Sequence, residues 1–392
     1  MAGPGLYTQI PFCSSKCTFC NFSSRVSPST VFDNYCASVV KEMDCLPTNL
    51  RGAGASDNIY TLPIDTVYFG GGTPPILGIE RLQAIAESIR RTFAAAASRE
   101  FTIEVTPGSL SPDSLTALRK LGVDRLSIGA QSFVDQELAS VGRLHSARDT
   151  MELAASARRA SFDNISLDLI AGLPHQTQAS WQESLDAAER LRPEHLSVYI
   201  FEIDEKSRLG SELLKHGSLV HANDVPDEAF AADAYEVARE FLKARGYCQY
   251  EISNFALPGR ESLHNLKYWR LEPYLGLGAG AHSFDGAHRW SNTISPSEYA
   301  AKLALGETPI ADFRKVSRDE LIEEFFFTGL RQADGVDLSS AARRWSATDI
   351  GRWQPVIEGL AARGLLERCG NSVRLADSAY IISNEVFQEF LP

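Results

Sequence analysis

The chain is poor in the features that would place it in a special class. No run of roughly 18 apolar residues occurs in its 392 residues, so no membrane-spanning helix is expected. Met1 to Ile10 has neither a basic n-region nor an apolar h-region, so no signal peptide is expected and the default location is cytoplasmic. Peripheral membrane contact is not excluded by this. Basic residues are outnumbered, 38 Lys and Arg against 50 Asp and Glu, for a net charge of −12. A surface built to neutralise nucleic-acid phosphates would need the reverse balance, so no nucleic-acid partner is expected. Repeats, low-complexity tracts and heptads are also missing, which argues against solenoids and coiled coils. Cysteine is scarce, seven in all and odd in number, which does not suit the disulfide frameworks of small secreted chains.

What is present is an ordinary globular composition, 44% hydrophobic and 22% charged, long enough for a large core and a second module. The first half alternates short β-rich runs with amphipathic helical patterns, the signature of βα units around a parallel sheet. Strands are expected at Tyr7–Ile10, Asp65–Phe69, Phe101–Val105, Arg125–Gly129, Asn164–Leu169 and His195–Tyr199. Helices are expected near 31–45, 79–96, 112–121, 147–160 and 179–191. Ser111-Pro112 reads as an N-cap followed by proline at the first helical position. Six units exceed a mononucleotide fold and fall short of a closed eight-fold barrel. The expected class is therefore α/β, an open partial (β/α)6 TIM-like barrel with a smaller α+β C-terminal module. Pro47–Pro63 is expected to be a loop away from the chemistry. Beyond Ser317, helices at Asp319–Gln332 and Gln354–Arg363 precede a hairpin ending near Leu375, a winged-helix-like order. Its Arg343-Arg344 pair is too small a basic patch for DNA on so acidic a chain.

Three of the seven cysteines crowd into one loop, Cys13-Ser-Ser-Lys-Cys17-Thr-Phe-Cys20, just after the first expected strand. Three thiolates satisfy three irons of a four-iron cube and leave the fourth iron open to an outside ligand. A structural zinc knuckle is the alternative, and it would need a fourth protein ligand. Cys36, Cys45, Cys248 and Cys369 are isolated and read as buried small hydrophobes. Gly70-Gly71-Gly72-Thr73-Pro74 follows the second strand with a bare backbone that allows close approach of a ligand. The cysteines, this loop, Glu104, Gln131 and Asp168 all fall at or just after strand ends, where barrels gather their chemistry.

The cysteine spacing, with aromatic Phe19 before the third cysteine, resembles the radical S-adenosylmethionine enzymes. That resemblance implies a [4Fe–4S] cluster on Cys13, Cys17 and Cys20 that binds S-adenosylmethionine. Tyr7, Phe19, Gly72, Thr73 and Glu104 match positions near that ligand. Ile128–Phe133, Gly142-Arg143-Leu144-His145 and Asp168–Pro174 are similar to the coproporphyrinogen dehydrogenase (HemN) branch, which brings Gln131, Arg143 and Asp168 to the same ligand. Phe22 stands where the oxidase has a further cysteine. Cys20-Asn21-Phe22 is instead similar to the cysteine–acidic–phenylalanine pattern of HemW-type heme chaperones, with Asn21 departing from it.

His264-Asn265-Leu266-Lys267-Tyr268-Trp269 matches the HNxxYW motif of those chaperones. Imidazole beside flat aromatic faces suits a heme edge, so His264 is the expected heme ligand and His282 a weaker second. A hydrogen-bonded core histidine is the alternative. The resemblance implies a radical S-adenosylmethionine core over 1–205, a barrel extension with the histidine motif over 206–312, and a C-terminal winged-helix-like domain over 313–392. It implies heme, a recipient hemoprotein and an electron donor as partners, and it leaves a homodimer open. Enzymatic alternatives are a porphyrinogen oxidase and a radical methyltransferase.

Overall fold

The computed structural model describes residues 3–56 and 58–391. Six strands follow one another around a curved sheet: β1 (Gly5–Ile10), β2 (Ile64–Gly71), β3 (Ala95–Val105), β4 (Arg125–Gln131), β5 (Ile165–Ala171) and β6 (His195–Ile200). Each pairs in parallel with the next. The alternation along β4 shows why they form a barrel wall. Leu126, Ile128 and Ala130 are fully buried in the main apolar core, while Arg125, Ser127, Gly129 and Gln131 face a cavity. Successive side chains of a strand point to opposite faces, so one run of sequence supplies both core and site. Burying each such leucine or isoleucine stabilises the fold by about 1.5–3 kcal/mol.

The sheet grows past these six strands on both sides. β7 (Cys248–Glu251) and β8 (Asn254–Ala256) add antiparallel beyond β6. β9 (Tyr274–Leu277) adds parallel to β1, followed by antiparallel β10 (His282–Phe284), β11 (His288–Asn292) and β12 (Ile310–Lys315). The order is β12-β11-β10-β9-β1-β2-β3-β4-β5-β6-β8-β7, and the two edge strands do not meet. This is the expected open TIM-like α/β barrel, carrying a seventh parallel strand. β9 was hidden in a glycine-rich segment. Gly276 is required there because a Cβ would lie 2.2 Å from the His282 carbonyl oxygen.

Helices cover the outer face where their apolar periodicity placed them, including Ile79–Thr92, Pro112–Lys120, Ala147–Arg159 and Gln178–Arg190. Ser111 caps its helix as expected, accepting from Ser114 N at 3.1 Å. Two expectations are corrected. The first helix runs Phe32–Ala53 straight through Pro47, because Leu46 and Leu50 are both buried on its core face and outweigh the lost hydrogen bond. It ends at Gly54 with φ of 90°. Asp57, within the expected loop, lies outside the described residues. The helix expected to reach residue 96 stops at Thr92, where the chain turns extended into β3.

Beyond Arg318–Gly329, a small sheet of β13 (Val336–Asp337), β14 (Leu366–Cys369) and β15 (Ser372–Leu375) packs with short helices. Phe326 stacks on Phe390 at 4.8 Å in its core. Arg239, on the barrel helix Glu228–Lys243, pairs with Asp377 at 2.5 Å and lies 4.4 Å over the Tyr380 ring. Among the described residues, no helix is long and apolar enough to cross a membrane.

Candidate functional site

A cavity of about 720 Å³ opens at the C-terminal ends of the barrel strands and reaches the C-terminal sheet module at Tyr380 and Asn384. Its size suits a small-molecule ligand. At its mouth sits the cysteine loop. Cys13, Cys17 and Cys20 are free and half-buried. The loop is held by its backbone, Thr18 N to Val141 O at 3.0 Å and Leu209 N to Thr18 O at 2.8 Å. The Thr73 hydroxyl donates to Cys13 Sγ at 3.8 Å, and Arg143 Nη1 lies 3.6 Å from Cys17 Sγ. The Cys20 thiol is pushed up by burial, an effect that metal ligation would reverse.

A single bound ion would draw the three sulfurs closer together than they stand here. Thiolates around a single zinc lie about 3.7 Å apart, given bonds of ~2.3 Å. These three are not gathered within 4.8 Å of one another; among the described residues only His175, His221 and Asp224 are. The glycine loop is locked against the cysteine loop, Gly72 N to Ile10 O and Thr73 N to Phe12 O, both 2.8 Å. A Cβ at Gly72 would come 2.4 Å from the Phe12 carbonyl. Gly71 has φ of 109°, which favours glycine, and its N–H donates to Glu104 Oε2 at 2.8 Å.

Glu104 also accepts from the Tyr68 hydroxyl at 2.9 Å. Burial pushes its carboxyl up to about 7, with nearby Asp168 adding to the effect. Asp168 is raised for the same reason, opposed by hydroxyl hydrogen bonds and by Arg125 and Arg143. Its Oδ2 accepts from Ser127 at 3.4 Å. Gln131 ends β4 with φ of 66°, next to a register shift between Ile128 and Gln131. A left-handed non-glycine residue costs of order 1–3 kcal/mol, which points to a constrained position. Arg143 is clamped by a short hydrogen bond to the Gly129 carbonyl.

Phe19, Gly72, Thr73, Glu104, Gln131, Arg143 and Asp168 thus all line the cavity with the three cysteines. Tyr7 and His264 do not. Tyr7 stacks on Tyr68 at 5.7 Å and donates to Gln9 Oε1, facing the barrel interior below the cavity wall.

His264 lies apart from the cavity. It lies in the helix Leu263–Trp269, 1% exposed, under the N-terminal ends of the strands. Nδ1 is 2.9 Å from the Thr66 hydroxyl and Nε2 2.9 Å from the Tyr268 hydroxyl. Both nitrogens are therefore engaged, and no lone pair is presented to an incoming iron. Burial, with Lys267 and Arg125 nearby, pushes its pKa down to about 3, so the ring is neutral. Glu100 caps the helix by accepting from Leu263 N and His264 N at 2.9 and 3.0 Å. Lys267 is buried against Asp65 at 2.7 Å. A Cβ at Gly5 would lie 2.8 Å from Lys267 Cδ and 3.1 Å from His264 Cε1, so the motif plugs the barrel floor. His282 is exposed at the start of β10, outside the cavity. Cys248 and Cys369 are exposed, unlike the buried role expected of them, while Cys36 is buried.

Two cavity residues escaped the sequence reading. Arg125 is 2% exposed, and Arg331 stands 4.6 Å over the Trp269 ring. Each has a buried Nε without a hydrogen-bond partner. Arg331 is half-buried and pairs with Glu251 at 3.7 Å, whereas burying Arg125 without full pairing is costly, and a ligand anion would relieve it. For Arg125 a signal existed, since inward alternation from Gln131 back through Gly129 and Ser127 lands on it. Arg331 follows a helix end and carries no such mark. Asn21, the departure from an acidic residue, donates to Asp204 at 2.7 Å, so a carboxylate stands beside this position after all.

The chain is similar to known proteins over nearly its whole length. Residues 7–188 match the radical SAM superfamily and residues 316–382 the HemN C-terminal domain. The heme chaperone HemW of Bacillus subtilis is 36% identical, over 98% of this chain and 98% of that protein. That of Escherichia coli is 29% identical, over 98% and 97%. A bovine mitochondrial protein, radical S-adenosyl methionine domain-containing protein 1, is 33% identical over 84% of this chain and 74% of its own length. Among solved structures, the coproporphyrinogen III oxidase HemN of Escherichia coli, a radical SAM enzyme, superposes with a TM-score of 0.84 at 23% identity, covering 99% of this chain and 90% of that one. At that identity the likeness concerns the fold.

Proposed function

The chain belongs to the radical SAM superfamily and within it to the HemW family, and on that premise we propose that it is a heme chaperone built around a [4Fe–4S] cluster. The carrying observation is convergence: three thiols, a side-chain-free glycine loop and the strand-end residues meet at one cavity. Cys13, Cys17 and Cys20 would hold three irons of the cluster. When bound, the cluster supplies low-potential electrons and an open iron for S-adenosylmethionine. Gly72 and Thr73 would approach that ligand's polar end through backbone, Glu104 its hydroxyls, and Gln131, Arg143 and Asp168 its remaining polar groups. Phe19 would exclude water at the mouth.

Heme would enter from the C-terminal module side, with its carboxylates drawn to Arg125 and Arg331, and be passed to a recipient hemoprotein. An electron donor would serve the cluster. Phe22, 65% exposed at the cavity mouth, offers no fourth thiolate for porphyrinogen chemistry.

The test is an anaerobic optical and EPR titration of reconstituted protein with S-adenosylmethionine and then with heme. Wild type should show a cluster signal that shifts on adding S-adenosylmethionine, and a saturable heme spectrum. The Cys13→Ala/Cys17→Ala/Cys20→Ala variant should lose the cluster signal. Steady turnover of coproporphyrinogen III, or no saturable heme binding, would overturn the chaperone reading.

A further inference from the structure

Away from the cavity, His175, His221 and Asp224 converge from two loops. His175 follows β5, and His221 and Asp224 belong to the 3-10 segment Leu219–Asp224. His175 Nε2 lies 3.3 Å from His221 Nδ1 and 3.5 Å from Asp224 Oδ2. His221 Nδ1 lies 3.2 Å from that same Oδ2. The three atoms form a nearly equilateral triangle.

Protons satisfy at most two edges of such a triangle. Each edge needs one donor and one acceptor, and three atoms cannot alternate around three edges. Any arrangement leaves two lone pairs or two N–H groups facing each other. A cation at the centre accepts a lone pair from all three. Tetrahedral zinc, with bonds of ~2.0–2.1 Å, sets its ligand atoms about 3.3 Å apart, the spacing seen here. Two imidazoles and one carboxylate are ligands that zinc accepts, with the fourth corner left to water.

The backbone is bent to this purpose. His175 has φ of 67° and His221 φ of 63°, left-handed values that favour glycine, and neighbouring Val220 has φ of 53°. His175 N donates to the Asp224 carbonyl at 2.8 Å, tying the loops at the triangle. The stretch of chain leading into this segment, from Asp204 to Leu209, grips the cysteine loop through Leu209 N to Thr18 O at 2.8 Å and Asn21 to Asp204 at 2.7 Å.

We propose that His175, His221 and Asp224 form a divalent-cation site of the zinc class that staples residues 204–224 to the barrel and so steadies the wall behind the cluster loop. The experiment uses full-length, cluster-reconstituted protein, stripped of loose metal with EDTA and titrated anaerobically with Zn²⁺ by calorimetry. Wild type should show one saturable equivalent that His221→Ala and Asp224→Ala weaken at least about tenfold. His175→Gly is the decisive variant. It removes a ligand while relieving the left-handed backbone, so its loss of Zn²⁺ binding cannot be ascribed to misfolding. Zn²⁺ should also slow tryptic cleavage at Lys206, Arg208 and Lys215 in wild type and not in these variants. Superimposable Zn²⁺ titrations of wild type and all three variants would overturn the site. Binding lost in the variants without any protection difference in wild type would overturn the staple.

Discussion

At the residue scale, the site is governed by groups held in costly states. Glu104 is buried with its pKa pushed up to about 7, and Glu42 likewise beneath Tyr299 and Gly278. A carboxyl raised on folding binds more protons folded than unfolded between its ordinary value and the raised one. The stability each of these carboxyls contributes is therefore full at acid pH and is lost as pH rises from about 4.5 through 7. Glu104→Gln should flatten part of that decline, seen by urea denaturation of the apoprotein at pH 5 and pH 7. His264 acts with the opposite sign. Lowered to about 3, it favours folding at neutral pH and withdraws that support as pH falls below about 6.5. Arg125→Met should raise apoprotein stability by about 1–2 kcal/mol, because it removes an incompletely paired buried cation. The same change should weaken heme binding in the optical titration. A stability loss would show that Arg125 is a structural partner of Asp168.

Elements explain what the residues could not show alone. Read as a pattern, His264–Trp269 offered an imidazole and flat rings. Folded, it is a short helix that closes the barrel floor, with Glu100 at its N-terminus and Asp65 on Lys267. His264→Ala should cost about 2–4 kcal/mol in thermal or urea unfolding, since it orphans the hydroxyls of Thr66 and Tyr268 and leaves a cavity. Heme affinity should remain near wild type. A lost heme spectrum with unchanged stability would restore the ligand role. The glycine loop makes the complementary case. Gly72→Ala should weaken S-adenosylmethionine binding in the EPR titration, because the new methyl meets the Phe12 carbonyl and pushes the glycine loop off the cysteine loop. The strands and helices were legible because periods of 2.0 and 3.6 residues are local. The run through Pro47 was not, because only contacts with the barrel core hold it.

On the scale of the whole molecule, the open barrel leaves its cavity incomplete until the C-terminal sheet module lines the far end with Tyr380 and Asn384. Arg239 joins the two by ion pair and by stacking. Arg239→Ala should loosen that module: hydrogen exchange over 372–391 should rise, while global stability changes by only about 1 kcal/mol, as befits a partly exposed pair. Unchanged exchange there would show that apolar packing alone holds the module.

The three cysteines, the glycine loop and the order of βα units were determined by sequence, because each is a matter of short spacing or local period. The convergence of Gly72, Thr73, Glu104, Gln131 and Asp168 on those cysteines could be expected from strand ends, and that of Phe19 and Arg143 from the resemblance, though only the folded barrel shows them lining one cavity. What tertiary structure alone decided is where polar groups go once buried. It turned His264 and Tyr7 into the barrel interior, set Arg125 and Arg331 facing the cavity, and drew His175 to His221 and Asp224 across 46 residues of chain. Such placements follow from the whole sheet and its long connections, and no local window of sequence contains them.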